Sequence, residues 1–241
     1  MSGHSKWATT KRKKATIDAK RGQVFTKLAK VITIASRDGG SDPTANPNLR
    51  MAIDNARSSS MPKENIERAI QKGVGGGIGA NIESITYEAY GPAGIALLIE
   101  CLTDNKNRAL SEVKMMISKH GGNFASAGNV SYLFQKKGEI IIEIAKQNKS
   151  AEEIEEIVIE SGADDYEVEG EMVVVYTSMH DLHQVKTKLD EAGIVIESAE
   201  LTNIASTFID VPEDKKEKVE TLIEALDDLE DVNKVYTNAN I

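Results

Sequence analysis

At 241 residues the chain exceeds one ordinary domain, so two or three domains are expected, with cores built from Ile, Val, Leu, Ala and Met. A single cysteine, Cys101, excludes an internally disulfide-stapled scaffold, and no run has the apolar length of a signal peptide or a membrane span, which predicts a cytoplasmic protein with no membrane contact. The formal charge of -9 hides a polarised chain: residues 1–72 carry nine Lys and six Arg against six acids, a net of +9, and the remainder carries 14 bases against 32 acids, a net of -18. Such asymmetry marks a polyanion-binding module joined to an acidic body. The alternative, in which the basic part neutralises the acidic part within the fold, leaves unexplained why the bases crowd into one linear cluster.

Residues 1–19 are small and polar and contain the run Lys11, Arg12, Lys13, Lys14, a composition that predicts a mobile arm. From Asp18 to Arg37, Val24, Phe25, Leu28, Val31, Ile32 and Ala35 recur at helical spacing on one face. At 100° per residue Lys20, Lys27, Lys30 and Arg37 fall roughly opposite, so the helix is expected to display them outward, with Ile34 the one apolar residue among them. A second helix is expected over 49–58 and a third from Pro62, with Ile66, Ala69 and Ile70 inward. The run KGVGGGIGA then places five glycines in seven positions. It lacks the spacing of a dinucleotide fingerprint and the lysine of a phosphate loop, so it reads as a hinge ending a first domain at residue 76.

Strands are expected at 83–90 and 94–102 around the turn GPAG, then a helix over 107–120 and a strand over 129–134. The next stretch reads as strand 139–145, helix 151–161, strands 165–169 and 171–177, helix 181–192 and strand 194–203, the order of a ferredoxin-like unit. Ser150 with Glu153, and Ser178 with Asp181, are placed to cap its two helices. A helix opened by Pro212 and a strand over 232–237 close the chain. That pair cannot bury both faces alone, so the chain is expected to return and complete the earlier unit. The resulting fold class is α+β: a helical domain (1–76), a discontinuous α+β domain (77–134 with 205–241) and an inserted ferredoxin-like domain (135–204).

The sharpest chemical signal is Lys6, Lys11, Arg12, Lys13, Lys14, Lys20 and Arg21 within sixteen residues, opposed only by Asp18, a density suited to phosphate. Trp7 is placed to stack on a base, and Lys27 and Lys30 extend the basic set. No mixed set of base-reading side chains accompanies them, which predicts little sequence preference. In the segment TDNKNR, capping accounts for part of the composition, and Asn105, Lys106 and Arg108 form a candidate contact surface. His180 and His183 lack a third metal ligand and read as a solvated helix face, and Cys101 as a buried small residue. No cofactor, no metal and no catalytic constellation is expected.

The motifs GHSKW, DAKRGQVFTKL, NLRMAI, MPKENIERAI, YEAYGPAGIALLIECLTDNKNR and GGNFASAGNVSYLF, spanning residues 1 to about 138, closely resemble the YebC/PmpR family. The resemblance implies three domains, helical first, with the third inserted in the second. It implies a DNA-binding transcriptional regulator or, alternatively, a translation factor at the ribosome, as for the mitochondrial translational activators among its relatives; ribosomal RNA is then the polyanion, and the acidic body is expected to face basic ribosomal proteins. It implies no enzyme, and an enzyme with an interdomain active site is the contrasting class. Lys6, Lys11, Lys13, Lys14, Lys20, Arg21 and Lys27 lie in the matching N-terminal motif. The chain departs from the family at Thr9 and Thr10, where an apolar residue is frequent, and at Ala89 and Ala93, where glycine is usual. A monomer is the favoured state.

Overall fold

A computed structural model describes residues 21–75 and 81–241. The arm positions Lys6, Trp7, Lys11, Arg12, Lys13, Lys14 and Lys20 lie outside the described residues, as does most of the glycine run.

The first unit is a bundle of three helices, α1 (Arg21–Gly39), α2 (Pro47–Ser58) and α3 (Lys63–Val74). Asn46 caps α2, its side-chain oxygen accepting the Leu49 N–H at 3.0 Å, and a proline opens the first turn where no N–H is needed. Ile32, Leu49, Ile53, Ala56, Met61, Ile66 and Ala69 are buried between the helices. α3 crosses α1 at backbone distance. A Cβ at Gly73 would stand 2.5 Å from the Thr33 carbonyl oxygen, and the hydroxyls of Thr33 and Ser36 donate to the carbonyls of Ala69 and Ile70 at 3.1 and 3.0 Å.

The second unit is a four-stranded antiparallel sheet in the order β3-β1-β2-β9, formed by β1 (Glu83–Tyr90), β2 (Ala96–Thr103), β3 (Asn123–Ala125) and β9 (Val232–Thr237). Helices α4 (Lys106–Lys119) and α7 (Glu213–Asp227) pack on it, and Leu97, Ile99, Cys101, Val113, Ile117, Leu222 and Leu226 are buried between sheet and helices. A short parallel pair, β8 (Ile209–Asp210) with β10 (Ala239–Asn240), ties the start of α7 to the chain end.

Between them lies a second antiparallel sheet in the order β5-β6-β4-β7. Its elements are β4 (Phe134–Glu143), α5 (Ala151–Ser161), β5 (Asp165–Glu169), β6 (Met172–Thr177), α6 (Leu182–Glu191) and β7 (Ile196–Ala205). Two outer helices on one face of such a sheet are the ferredoxin-like arrangement. Ile140, Ile142, Ile154, Val158, Val173, Val175, Leu182 and Leu189 form its core.

Three local expectations shift. The strand expected over 129–134 is a single tight helical turn (Ser131–Leu133), preceded by β3 at 123–125 and followed by a longer β4 that begins at Phe134. The apolar run is spent on filling the outer face of the sheet, where Val130 is buried and Leu133 and Phe134 pack beside it. The loop before it is pinned by Glu88, whose carboxylate accepts the backbone N–H groups of Gly128, Val130 and Ser131 at 2.8, 2.5 and 3.1 Å. The capping box of Ser150 and Glu153 forms, but Ser178 does not cap a helix. Its hydroxyl donates to the Asp181 carboxylate at 2.7 Å and accepts the N–H groups of His180 and Asp181, a closed turn that delays α6 to Leu182.

The helical unit touches both others. The Asn55 amide completes the free edge of β7 at Ala199, donating to its carbonyl at 3.0 Å and accepting its N–H at 3.1 Å, and Lys186 bridges Asp54 at 3.2 Å and Asp190 at 2.8 Å. The two sheets meet at Lys234, which pairs with Glu200, while Glu100 accepts from Asn233 at 2.9 Å.

Candidate nucleic-acid interface

α1 has two packed faces. One carries Ile32 into the bundle core. The other, the stripe expected to point outward, lies against the acidic segment DDLED (227–231) that joins α7 to β9. Lys27 Nζ donates to the Asp227 carbonyl at 2.6 Å and to its carboxylate at 3.2 Å. Lys30 Nζ donates to the Glu230 carbonyl at 2.9 Å and to Asp231 at 3.1 Å. Arg37 donates to the Ile82 carbonyl at 2.5 Å and to Asp38 at 2.8 Å. The outward display expected of Lys27, Lys30 and Arg37 is therefore corrected: these cations face the second unit. The physical reason is that a helix between two packed bodies is largely screened from solvent at those positions, and a charged stripe there is matched by carboxylates or carbonyls.

Asp231 is the hub of this contact. Its side chain is 2% exposed and is shared by Lys30 and Arg108, with the Arg108 guanidinium at 2.8 and 3.0 Å in a two-point fork. Arg108 also reaches Asp104 at 2.9 Å, and these carboxylates hold its guanidinium above its usual range. Asn105 caps α4 by accepting the Arg108 N–H at 3.1 Å, and Lys106 pairs with Glu83 at 2.6 Å. The candidate surface of Asn105, Lys106 and Arg108 is thus held by intramolecular bonds.

Other cations remain uncommitted among the described residues. Beside the clamp opens a cleft of about 690 Å³ between bundle and sheet, with Phe25, Ala29, Met61, Arg68, Lys72 and Arg108 in its wall. Arg68 and Lys72 stand one turn apart on the exposed face of α3, and neither has an ion pair or hydrogen bond among the described residues. Arg21 is exposed at the start of α1. Asp104, Glu112 and Glu230 occupy the opposite rim, so the cleft is charged on two sides with opposite sign. Arg68 and Lys72 were absent from the sequence-based set. The available signal was their four-residue spacing opposite Ile66, Ala69 and Ile70, which is weaker than the density of the arm.

Among the described residues no group of three or more His, Cys, Asp or Glu is arranged to hold a metal ion. Cys101 is fully buried on β2, and burial pushes its thiol up to about 12, which keeps it protonated and inert. No helix among the described residues is long and apolar enough to cross a membrane.

The family model described as the TACO1/YebC protein N-terminal domain matches residues 5–76, and that of the TACO1/YebC second and third domain matches residues 82–239. The chain belongs to the TACO1/YebC family. A "Probable transcriptional regulatory protein" of Desulforamulus reducens is 48% identical over 238 residues, 99% of this chain and 98% of the relative. One of the same name from Thermobifida fusca is 49% identical over 242 residues, 100% and 96% of the two chains. The crystal structure of the conserved hypothetical protein Aq1575 from Aquifex aeolicus superposes with a TM-score of 0.88 at 42% identity, covering 93% of this chain and 92% of that one. The TACO1/YebC relatives are named as regulatory proteins, and the helical-then-α+β architecture is shared with that structural neighbour.

Proposed function

We propose that this TACO1/YebC protein is a regulator of gene expression that binds nucleic acid through its N-terminal unit. Phosphate is gripped by Lys6, Lys11, Arg12, Lys13, Lys14, Lys20 and Arg21 of the arm and first helix, with Trp7 stacking, and by Arg68 and Lys72 at the cleft. The observation that carries the reading is the separation of charge: a net of +9 in the first 72 residues, with Arg68 and Lys72 on α3 left without an ion pair among the described residues while the cations facing the acidic body are matched. Transcriptional control on DNA follows the names of the relatives. If about six phosphates are engaged, affinity for duplex DNA falls roughly a thousandfold between 50 and 200 mM salt.

The net of -18 on the rest of the chain supports a second reading, translation control on ribosomal RNA, because an acidic body is repelled along bare DNA yet complements basic ribosomal proteins. Crosslinking in cells followed by sequencing of the bound polymer separates the two, with charge reversal of Lys11, Arg12, Lys13 and Lys14 as control. Genomic DNA supports the first reading and ribosomal RNA the second. Recovery unchanged by the arm variant would remove both.

A further inference from the structure

The acidic part of the chain spends most of its bases internally. Of the 14 bases after residue 72, all but Lys119, Lys136, Lys149, Lys215 and Lys218 have a carboxylate, carbonyl or ring partner among the described residues. Three of those five stand around one notch. It measures about 680 Å³ and lies where the C-terminus of α4, the turn Pro92–Gly94 and the first turns of α7 meet. Lys119, Lys215 and Lys218 are exposed there, the His120 imidazole is part of the wall, and Glu217 supplies a single carboxylate.

In a segment with 32 acids, chance placement would leave free lysines beside carboxylates. Here they are gathered and, among the described residues, unmatched. A lysine at the end of α4 gains from the helix dipole, which accounts for Lys119 alone. It does not account for Lys215 and Lys218, which sit in the opening turns of α7, where the dipole disfavours a cation. Three ammonium groups on flexible stems around an open notch match the point charges of successive phosphates.

The notch is also placed to act together with the N-terminal unit. α4 carries Arg108, in the clamp against α1, near its start and Lys119, in the notch, at its end, and the two positions are about 17 Å apart along the helix axis. That is roughly five steps of one strand of a duplex at 3.4 Å each. We infer that Lys119, Lys215 and Lys218 form a second phosphate-binding site, which takes another stretch of the same nucleic acid held by the N-terminal unit. The inference rests on the nucleic-acid reading above. Two sites on one polymer make the second contact intramolecular, so each raises the apparent affinity of the other.

The test uses the full chain with a 30-nucleotide RNA and a 30-base-pair DNA duplex as probes. Lysine acetylation footprinting, read by mass spectrometry, is run with and without each probe. Salt titrations then compare the wild type, the notch variant K119Q/K215Q/K218Q and the arm variant of the previous section. These lysines are exposed and have no ion pair among the described residues, so the notch variant is expected to melt with the wild type. With the site present, a bound probe slows acetylation of all three lysines, and the notch variant lowers the log–log salt slope by about 2 while the arm stays intact. A probe that binds and loses its affinity in the arm variant, yet leaves the notch lysines reacting at the free rate, overturns the second site and keeps the N-terminal reading. Notch protection with full binding by the arm variant keeps the site and removes the arm reading. Absence of binding to either probe overturns both.

Discussion

Lys27 and Lys30 on α1, and Arg68 and Lys72 on α3, lie in one helical unit and look alike in sequence, as bases at helical spacing opposite an apolar face. In the structure they do opposite things. The α1 pair is consumed by Asp227, Glu230 and Asp231, and the α3 pair is left to solvent at the rim of a cleft. A positive stripe is therefore a binding surface only where the fold leaves it unmatched, and the same composition elsewhere fastens one domain to another. Internal neutralisation, weighed against polyanion binding from composition, accounts for α1 between Lys27 and Arg37. It does not account for α3.

The strongest way to break this comparison is through the hub. Asp231→Ala leaves Arg108 and Lys30 without their shared carboxylate, and should lower stability by about 2–3 kcal/mol in a denaturant titration, less than for a fully buried pair because Arg108 is half exposed. Hydrogen exchange should rise along α1. A loss under about 0.5 kcal/mol would mean that the clamp does not hold the units together.

Glu88 carries the same logic for an anion. The N–H groups of Gly128, Val130 and Ser131 form a nest that the chain fills with its own carboxylate. Burial alone would raise the Glu88 carboxyl, but the three backbone bonds outweigh it and the net direction is down. A depressed folded value contributes stability above the unfolded carboxyl value of about 4.3, lost as pH falls through the folded value. Glu88→Gln should cost about 1–2 kcal/mol at pH 7. The cost should shrink on acidification below about pH 4, and a cost independent of pH would sink the assignment.

The smallest effect is expected at the turn. Ala93 has φ +63°, a left-handed conformation that penalises a side chain, so Ala93→Gly should stabilise by up to about 1 kcal/mol in thermal melts. Destabilisation would contradict the strain.

Much of the architecture was legible because local signals agree with it. Pro212 opens α7, Ser150 and Glu153 close a capping box, and Val219, Leu222, Ile223 and Leu226 are buried as their spacing predicts. The failures have two causes: one is local, where Ser178 closes a turn with Asp181 in place of a cap, and the other lies in distant contacts. Residues 129–134 have strand composition, but the Glu88 nest and the outer face of the sheet impose a turn there, and both are contacts with residues far away in sequence. The candidate site was legible only as charge. Which lysines meet Asp227 and Asp231 depends on a contact across 200 residues that helical periodicity cannot see.

The most direct measurement is a paired salt titration of binding to labelled RNA and DNA by K27Q/K30Q and R68Q/K72Q, alongside their denaturant stability. The account predicts that R68Q/K72Q lowers the salt slope by about 1.5 at unchanged stability, and that K27Q/K30Q keeps the slope and loses about 1 kcal/mol. The reverse pattern, with Lys27 and Lys30 setting the salt slope and Arg68 and Lys72 silent, would contradict it.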